Sequence, residues 1–157
     1  MLGTLAKWLR ILGYDTVYDA DLDDHQLVRL ARAQDRVLLT RDRELATRRG
    51  VRVLSVKSED LDDQVRQVLA ELELETDRSF SRCPVCNEPL RALDREAARG
   101  RVPPYVAQTR KTFKSCPKCR RVYWRGTHWR RMDEQLAQFR LQCAGSEVEK
   151  TTDPNST

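Results

Sequence analysis

Two Cys-x-x-Cys pairs constrain this chain more tightly than any other feature. Cys83-Pro84-Val85-Cys86 and Cys116-Pro117-Lys118-Cys119 are separated by 29 residues. Each pair forms a tight knuckle that aims two thiolates at one point, and two knuckles complete a closed tetrahedral site for zinc. The intervening gap is longer than in the shortest ribbons, but a hairpin with a long loop spans it. A pair of redox motifs is the rival reading; the proline in each knuckle and the doubling of the motif argue against it. With four thiolates as ligands, no coordination position stays open, so this zinc holds a fold and performs no catalysis. The fifth cysteine, Cys143, lies outside the knuckles and reads as a bystander thiol.

The knuckles are read as metal ligands partly because nothing points to an oxidising compartment. Lys7 and Arg10 interrupt the apolar N-terminal residues, and no small-residue cleavage site follows. No apolar run approaches membrane-spanning length. The expected location is cytoplasmic, with no membrane partner. Hydrophobic residues make up 39% of the 157, enough for a core of modest size in one domain with an appended module.

Upstream of the knuckles the hydrophobic pattern alternates between helix and strand. Leu2, Leu5, Leu9 and Leu12, with Trp8, recur at helical spacing before Gly13, which predicts a helix over 2–12. Thr16-Val17-Tyr18 is a strand candidate, followed by an acidic turn from Asp19 to Asp24. Leu27, Leu30 and Ala31 define a second helix ending near Asp35, and Val37 to Thr40 is a strand. A short helix over Arg43–Arg49, closed by Gly50, precedes a strand over Val51–Val56. Ser58 is placed to cap a further helix with Glu59 and Asp60 in its first turn, its buried stripe being Leu61, Val65, Val68, Leu69 and Leu72. Such alternation with short loops implies an α/β fold, a parallel sheet flanked by helices. Residues 73–81 read as a polar connector. From Cys83 to Tyr123 the chain is turn-rich, and Thr127 opens a last helix with Trp129, Met132, Leu136 and Phe139 on its apolar side. The tail, 145–157, is polar and expected to be disordered.

Charge divides the chain at the same boundary. Residues 1–80 hold 13 Lys/Arg against 16 Asp/Glu, a net of −3, whereas 81–141 hold 15 against 5, a net of +10. A basic segment built on a zinc module suggests a polyanion partner, and the acidic one suggests metal chemistry. Asp42 follows Val37–Thr40 at the carboxyl end of a strand, where open α/β sheets gather ligands. Asp24, at the start of the second helix, falls at the same sheet edge. Clustered carboxylates there could hold Mg²⁺ or Mn²⁺, which prefer oxygen donors. Both aspartates are equally suited to be helix caps, and residue spacing leaves the two readings open.

Met1-Leu2-Gly3-Thr4-Leu5-Ala6-Lys7-Trp8-Leu9-Arg10 with Leu12-Gly13-Tyr14-Asp15 resembles the Mut-seven C-terminal ribonuclease family. Asp21-Leu22-Asp23-Asp24, Leu39-Thr40-Arg41-Asp42-Arg43-Glu44-Leu45, the two knuckles, Arg101-Val102-Pro103-Pro104 and Tyr123-Trp124-Arg125-Gly126-Thr127-His128-Trp129 extend the resemblance to about Met132. The resemblance implies a PIN-like nuclease domain over 1–75, with a zinc ribbon and C-terminal helix over 82–141. It implies that Asp24 and Asp42 are catalytic ligands of Mg²⁺ or Mn²⁺, that Thr40 is the hydroxyl residue preceding the second acid, and that Asp60 or Glu59 adds a further ligand. It also implies a short first strand ending in an aspartate immediately before the Met-Leu-Gly segment. The chain begins at that Met, so the expectation is a PIN-like sheet lacking its first strand and an acidic site lacking one ligand.

The expected function is metal-dependent hydrolysis of RNA phosphodiester bonds, with the ribbon binding substrate. Lys111, Lys114, Lys118, Arg120, Arg121, Arg125 and Arg130, with Arg110 and Arg131, cluster around the second knuckle and last helix, interleaved with Phe113, Tyr123, Trp124 and Trp129. Cations neutralise phosphates and aromatic faces stack on unpaired bases. For the two tryptophans, packing of the ribbon against the first domain is the favoured reading. His128 either donates to a phosphate or is structural. The alternative function is a zinc-ribbon RNA-binding protein with a vestigial acidic site; a toxin of a toxin–antitoxin pair is a weaker third.

Overall fold

The computed structural model describes residues 2–145, without the side chains of His128, Trp129 and 142–145; the expectations for the tail, His128, Trp129 and Cys143 lie outside the described residues. Helix α1 spans Gly3–Ile11. Leu5, Leu9 and Leu12, spaced to fall on one face, are 1%, 4% and 0% exposed. The helix ends in a Schellman turn: Gly13 donates to the Arg10 carbonyl and Tyr14 to that of Leu9, both at 2.9 Å. Gly13 has φ of +97°, and a Cβ there would lie 2.5 Å from the Arg78 carbonyl oxygen and 2.7 Å from Ser81 Oγ. Gly13→Ala is therefore expected to cost about 2–4 kcal/mol, from the left-handed backbone plus a clash with main chain. A thermal melt should show a midpoint lowered by roughly 10 °C; an unchanged midpoint would contradict the close approach.

The expected strand at Thr16-Val17-Tyr18 does not form. Its backbone groups are taken by side chains before any ladder can use them. The Thr16 N–H donates to Asn87 Oδ1 at 3.0 Å, and its carbonyl accepts from Arg10 Nε at 2.8 Å. Helix α2, Asp24–Ala33, follows. It leads into β1, Val37–Thr40, then α3, Arg43–Ala46, and β2, Arg52–Ser55, with α3 one turn long where Arg43–Arg49 was expected. Strands β1 and β2 pair in parallel, with Val37 opposite Arg52 and Thr40 opposite Ser55. Parallel neighbours need a crossover, which residues 41–51 supply.

Alternation along the strands sorts the core into two layers. Val37, Leu39, Leu54 and Val56 face α1 and α4, Leu61–Glu71. Leu38, Val51 and Val53 face α2 and Leu45 of α3. Val65 and Val68 are fully buried, each contributing about 1.5–3 kcal/mol through apolar transfer. The last helix, α7, Thr127–Gly145, returns to this first layer. Its Leu136 (0% exposed) and Phe139 (3%) join Leu5, Val65 and Val68 in one cluster, so this part of the C-terminal helix packs on the α/β core. Helix α4 is capped by Asp60, not by Ser58: the Asp60 carboxylate accepts from the Asp62 and Asp63 N–H groups, while Ser58 Oγ accepts from Asp60 N–H.

The gap between the knuckles is not one long loop. It holds β3, Arg91–Leu93, then α5, Arg95–Ala98, α6, Pro104–Thr109, and β4, Phe113–Ser115. After the second knuckle comes β5, Val122–Trp124. The three strands form an antiparallel sheet in the order β3-β4-β5, with Leu93, Phe113 and Trp124 in register. Ala98, Val102, Val106, Ala107 and Phe113 make a second, small core beneath it.

Candidate metal centre and acidic cleft

The knuckles sit at one end of the small sheet, the second of them forming the turn between β4 and β5. All four cysteine sulfurs lie within 4.8 Å of one another, with Cys83 and Cys116 buried and Cys86 and Cys119 half-buried. Cys83 Sγ and Cys119 Sγ are 3.8 Å apart. Tetrahedral zinc with bonds of about 2.3 Å requires a sulfur–sulfur edge of about 3.8 Å, so the donor set fits a zinc ion in chemistry and in size. In each knuckle the fourth residue's N–H points back at the first sulfur, Cys86 N to Cys83 Sγ at 3.4 Å and Cys119 N to Cys116 Sγ at 3.5 Å. Burial raises the Cys116 pKa, and the Cys119 N–H works against that rise. Burial among the other sulfurs pushes the Cys86 thiol up to about 12. Burial also raises Cys119, but the backbone at Arg121 and the neighbouring sulfurs bring it down to about 7. Four thiolates in this space repel one another, and a divalent cation removes that repulsion.

The centre is braced from outside the cysteines. The Tyr123 hydroxyl lies 3.2 Å from Cys83 Sγ. Burial and the adjacent sulfur raise its pKa, so the hydroxyl keeps a proton that it can offer to a thiolate. Its ring meets Phe80 edge-on, centroids 6.2 Å apart at 86°. Arg10, only 8% exposed, reaches across from α1, its Nη1 donating to the Pro84 carbonyl at 2.9 Å and the Val85 carbonyl at 3.2 Å. Burial lowers the Arg10 pKa, while the adjacent Cys83, Cys86 and Asp15 oppose that loss. Asn87, at the end of the first knuckle, donates to Asp15 Oδ1 at 2.6 Å, and Arg36 holds the other Asp15 oxygen at 2.9 Å. The Arg36 hydrogen bond keeps the Asp15 carboxyl below its ordinary value against the effect of burial. Arg10, Asn87 and Asp15 thus weld the first knuckle to the end of α1. Sequence reasoning missed this seam, and the only signal was that Arg10 and Asp15 fall within the N-terminal segments that carry the family resemblance.

Asp24 and Asp42 line one cleft of about 690 Å³ that runs along the edge of β1, bordered by Leu2, Leu5, Leu27 and all four β1 residues. Helix α2 turns back through 34–36 into β1, so its N-terminus comes to the strand's carboxyl end. Among the described residues β1 has a strand on one side only, and the cleft borders its other edge. The cap question resolves differently for the two acids. Asp23 caps α2 in a reciprocal box: its carboxylate accepts from Gln26 N–H at 2.8 Å, and Gln26 Oε1 accepts from Asp23 N–H at 2.9 Å. Asp24 is not the cap, and its exposed carboxylate is left to the cleft. Asp42 does cap α3, but with one oxygen: Oδ1 accepts from Glu44 N–H at 2.7 Å and Leu45 N–H at 2.9 Å. Thr40, 6% exposed, accepts from the Asp42 N–H at 3.0 Å and shapes the turn. Asp60 is used as the α4 cap, and Glu59 pairs with Arg41 at 2.9 Å. Asp15, Asp19 and Asp35 also line the cleft, together with Arg36, Arg41 and Arg52. Among the described residues the four cysteines are the one group of three or more ligands brought within metal-sharing distance. The carboxylates of the cleft form no such group.

Of the basic residues, Lys111, Lys118, Arg120, Arg121, Arg125 and Arg130 are exposed around the ribbon. Lys114 is engaged instead, its Nζ donating to the Phe80 carbonyl at 2.9 Å. Trp124 packs on the ribbon's own small core.

A PIN-like α/β unit whose cleft carries Asp24 and Asp42, joined to a four-cysteine module that could hold a metal ion, defines the class of this protein. The family described as the Mut7-C RNAse domain matches residues 1–136, and the chain belongs to that family. No curated protein matches it, and no solved structure does. Membership points to ribonuclease-type chemistry and to RNA as the substrate class. No helix among the described residues is long and apolar enough to cross a membrane.

Proposed function

We propose that this protein hydrolyses RNA phosphodiester bonds with Mg²⁺ or Mn²⁺ held by Asp24 and Asp42, while the basic ribbon grips the strand. The observation carrying this reading is the shared cleft, in which Asp24 is relieved of capping by Asp23 and Asp42 caps with one oxygen only. When bound, such a cation activates water and neutralises charge on the phosphate. The chain's own part is to fix two oxygen donors near the end of β1 and to keep the nearby main chain rigid through Thr40. Lys111, Lys118, Arg120, Arg121, Arg125 and Arg130 would hold the phosphates at a distance from the acids, with Zn at the four cysteines as a purely structural ion. The setting proposed for this activity is the cytoplasm.

Asp24→Asn tests this directly. Asp24 is exposed and caps nothing, so the variant should melt within about 0.5 kcal/mol of the parent. Its Mg²⁺- or Mn²⁺-dependent cleavage of a labelled single-stranded RNA should fall by on the order of 100-fold or more. Equal cleavage by the variant and the parent would sink the assignment. A parent that binds RNA but never cuts it would point to a ribbon that only binds.

A further inference from the structure

We infer that the ribbon carries a pocket for a single unstacked nucleobase, bounded by Tyr105, Trp124 and Arg110. This rests on the reading of the ribbon as an RNA-binding module and names a subsite within it. A second cavity, of about 500 Å³, lies between the small sheet, α6 and the start of α7, and Ile11 at the end of α1 also lines it. Its volume falls within the range of small-molecule sites. Tyr105 stands at its mouth with 67% of its surface exposed, the most exposed aromatic side chain among the described residues whose exposure is large. That exposure has no packing rationale, because α6 already buries Val106 and Ala107. Half-buried Trp124 forms another wall, and Gly126 keeps that wall clear: a Cβ at Gly126 would come within 3.2 Å of Trp124 Nε1. Met132 and Pro84 add apolar surface behind them.

Two flat aromatic groups around a mostly apolar cavity suit a planar ring. The surroundings choose which one. Arg110 lines the cavity, and the segment 81–141 that contains it has a net charge of +10. A base attached to a phosphate backbone is complementary to that field, because its ring enters the pocket while its phosphates meet cations at the rim. An acidic peptide would satisfy the charge but would leave the aromatic walls without a planar partner. The pocket also shares Tyr123 and Pro84 with the metal centre, so the zinc module shapes its floor.

The test uses the full chain with zinc and a fluorescein-labelled single-stranded RNA of about 12 nucleotides, titrated at several salt concentrations. Tyr105→Ala removes an exposed ring, so folding is not at stake. It should weaken binding about tenfold, as loss of a base–aromatic stack does, and leave the slope of log K against log salt unchanged. Tyr105→Trp should retain affinity. Lys111→Ala, by contrast, should reduce the salt slope by about one. Ultraviolet crosslinking of 5-iodouridine RNA should place the adduct on Tyr105 or Trp124. Salt-sensitive RNA binding that is indifferent to Tyr105→Ala, with crosslinks elsewhere, would overturn the pocket and leave the ribbon's RNA binding intact. Absence of any RNA binding by the parent would overturn both.

Discussion

Stripping the cation from the four-cysteine centre, or replacing Cys116 with serine, is expected to melt the three-stranded sheet and everything docked on it. The ribbon's own apolar core consists of Ala98, Val102, Val106, Ala107 and Phe113, and only the last of these is large. Burial of that size offsets little of the entropy of ordering residues 82–124. Structural zinc sites contribute about 10–16 kcal/mol of apparent binding free energy at neutral pH, and in modules of this size that energy is folding energy. The damage should not stop at the ribbon. Arg10 is held against the carbonyls of Pro84 and Val85, which are presented by the first knuckle's turn. When that turn loosens, Arg10, a residue 8% exposed, loses two of its three acceptors, and buried donors left unmatched cost about 1–3 kcal/mol each. Elemental analysis should return one zinc per chain. Circular dichroism should show a chelator-sensitive loss of structure that added zinc restores, with Cys116→Ser resembling the chelated parent. A zinc-free parent with an unchanged melting curve would overturn the structural role.

What could be read from the sequence follows how local each constraint is. The knuckles were legible because two thiolates three residues apart have few other uses, and the structure brings all four sulfurs within 4.8 Å. Helix α1 and strands β1 and β2 were legible because their periodicity survives over enough residues to be seen. Thr16-Val17-Tyr18 was not, since β-branched composition favours a strand while the groups that consume its backbone, Arg10 and Asn87, are remote or differently engaged. Helices α5 and α6 escaped notice because four and six residues are too few to display a 3.6-residue period. The acidic run Asp21-Leu22-Asp23-Asp24 blurred which aspartate caps α2, although Gln26, three residues after Asp23, is the partner a capping box requires. That single-residue shift matters most for function, because it moves Asp24 from the helix cap to the cleft. The same limit applied at Ser58, where Asp60 took the capping position two residues later.

Asp42→Asn should separate the two tasks that converge on this residue. As the α3 cap, Asp42 uses Oδ1 to accept from two backbone N–H groups. Asparagine offers a carbonyl oxygen in the same place and is about as good an N-cap, so stability should stay within roughly 0.5 kcal/mol of the parent. Asp42→Ala removes the acceptor and should cost about 1 kcal/mol, typical for loss of a cap. The catalytic consequence follows charge, not capping. Neither asparagine nor alanine offers an anionic oxygen to a divalent cation, which prefers hard, charged oxygen donors. Both variants should therefore lose metal-dependent RNA cleavage by on the order of 10²–10³-fold, whereas RNA binding, carried by the ribbon's cations, should persist. Paired melting and cleavage assays read the two axes independently. If activity instead tracked stability, with Asp42→Asn active and only Asp42→Ala impaired, Asp42 would be a cap and nothing more. Loss of activity in a variant that melts like the parent would locate the chemistry at the carboxyl end of β1, on the side of the strand that opens to the cleft.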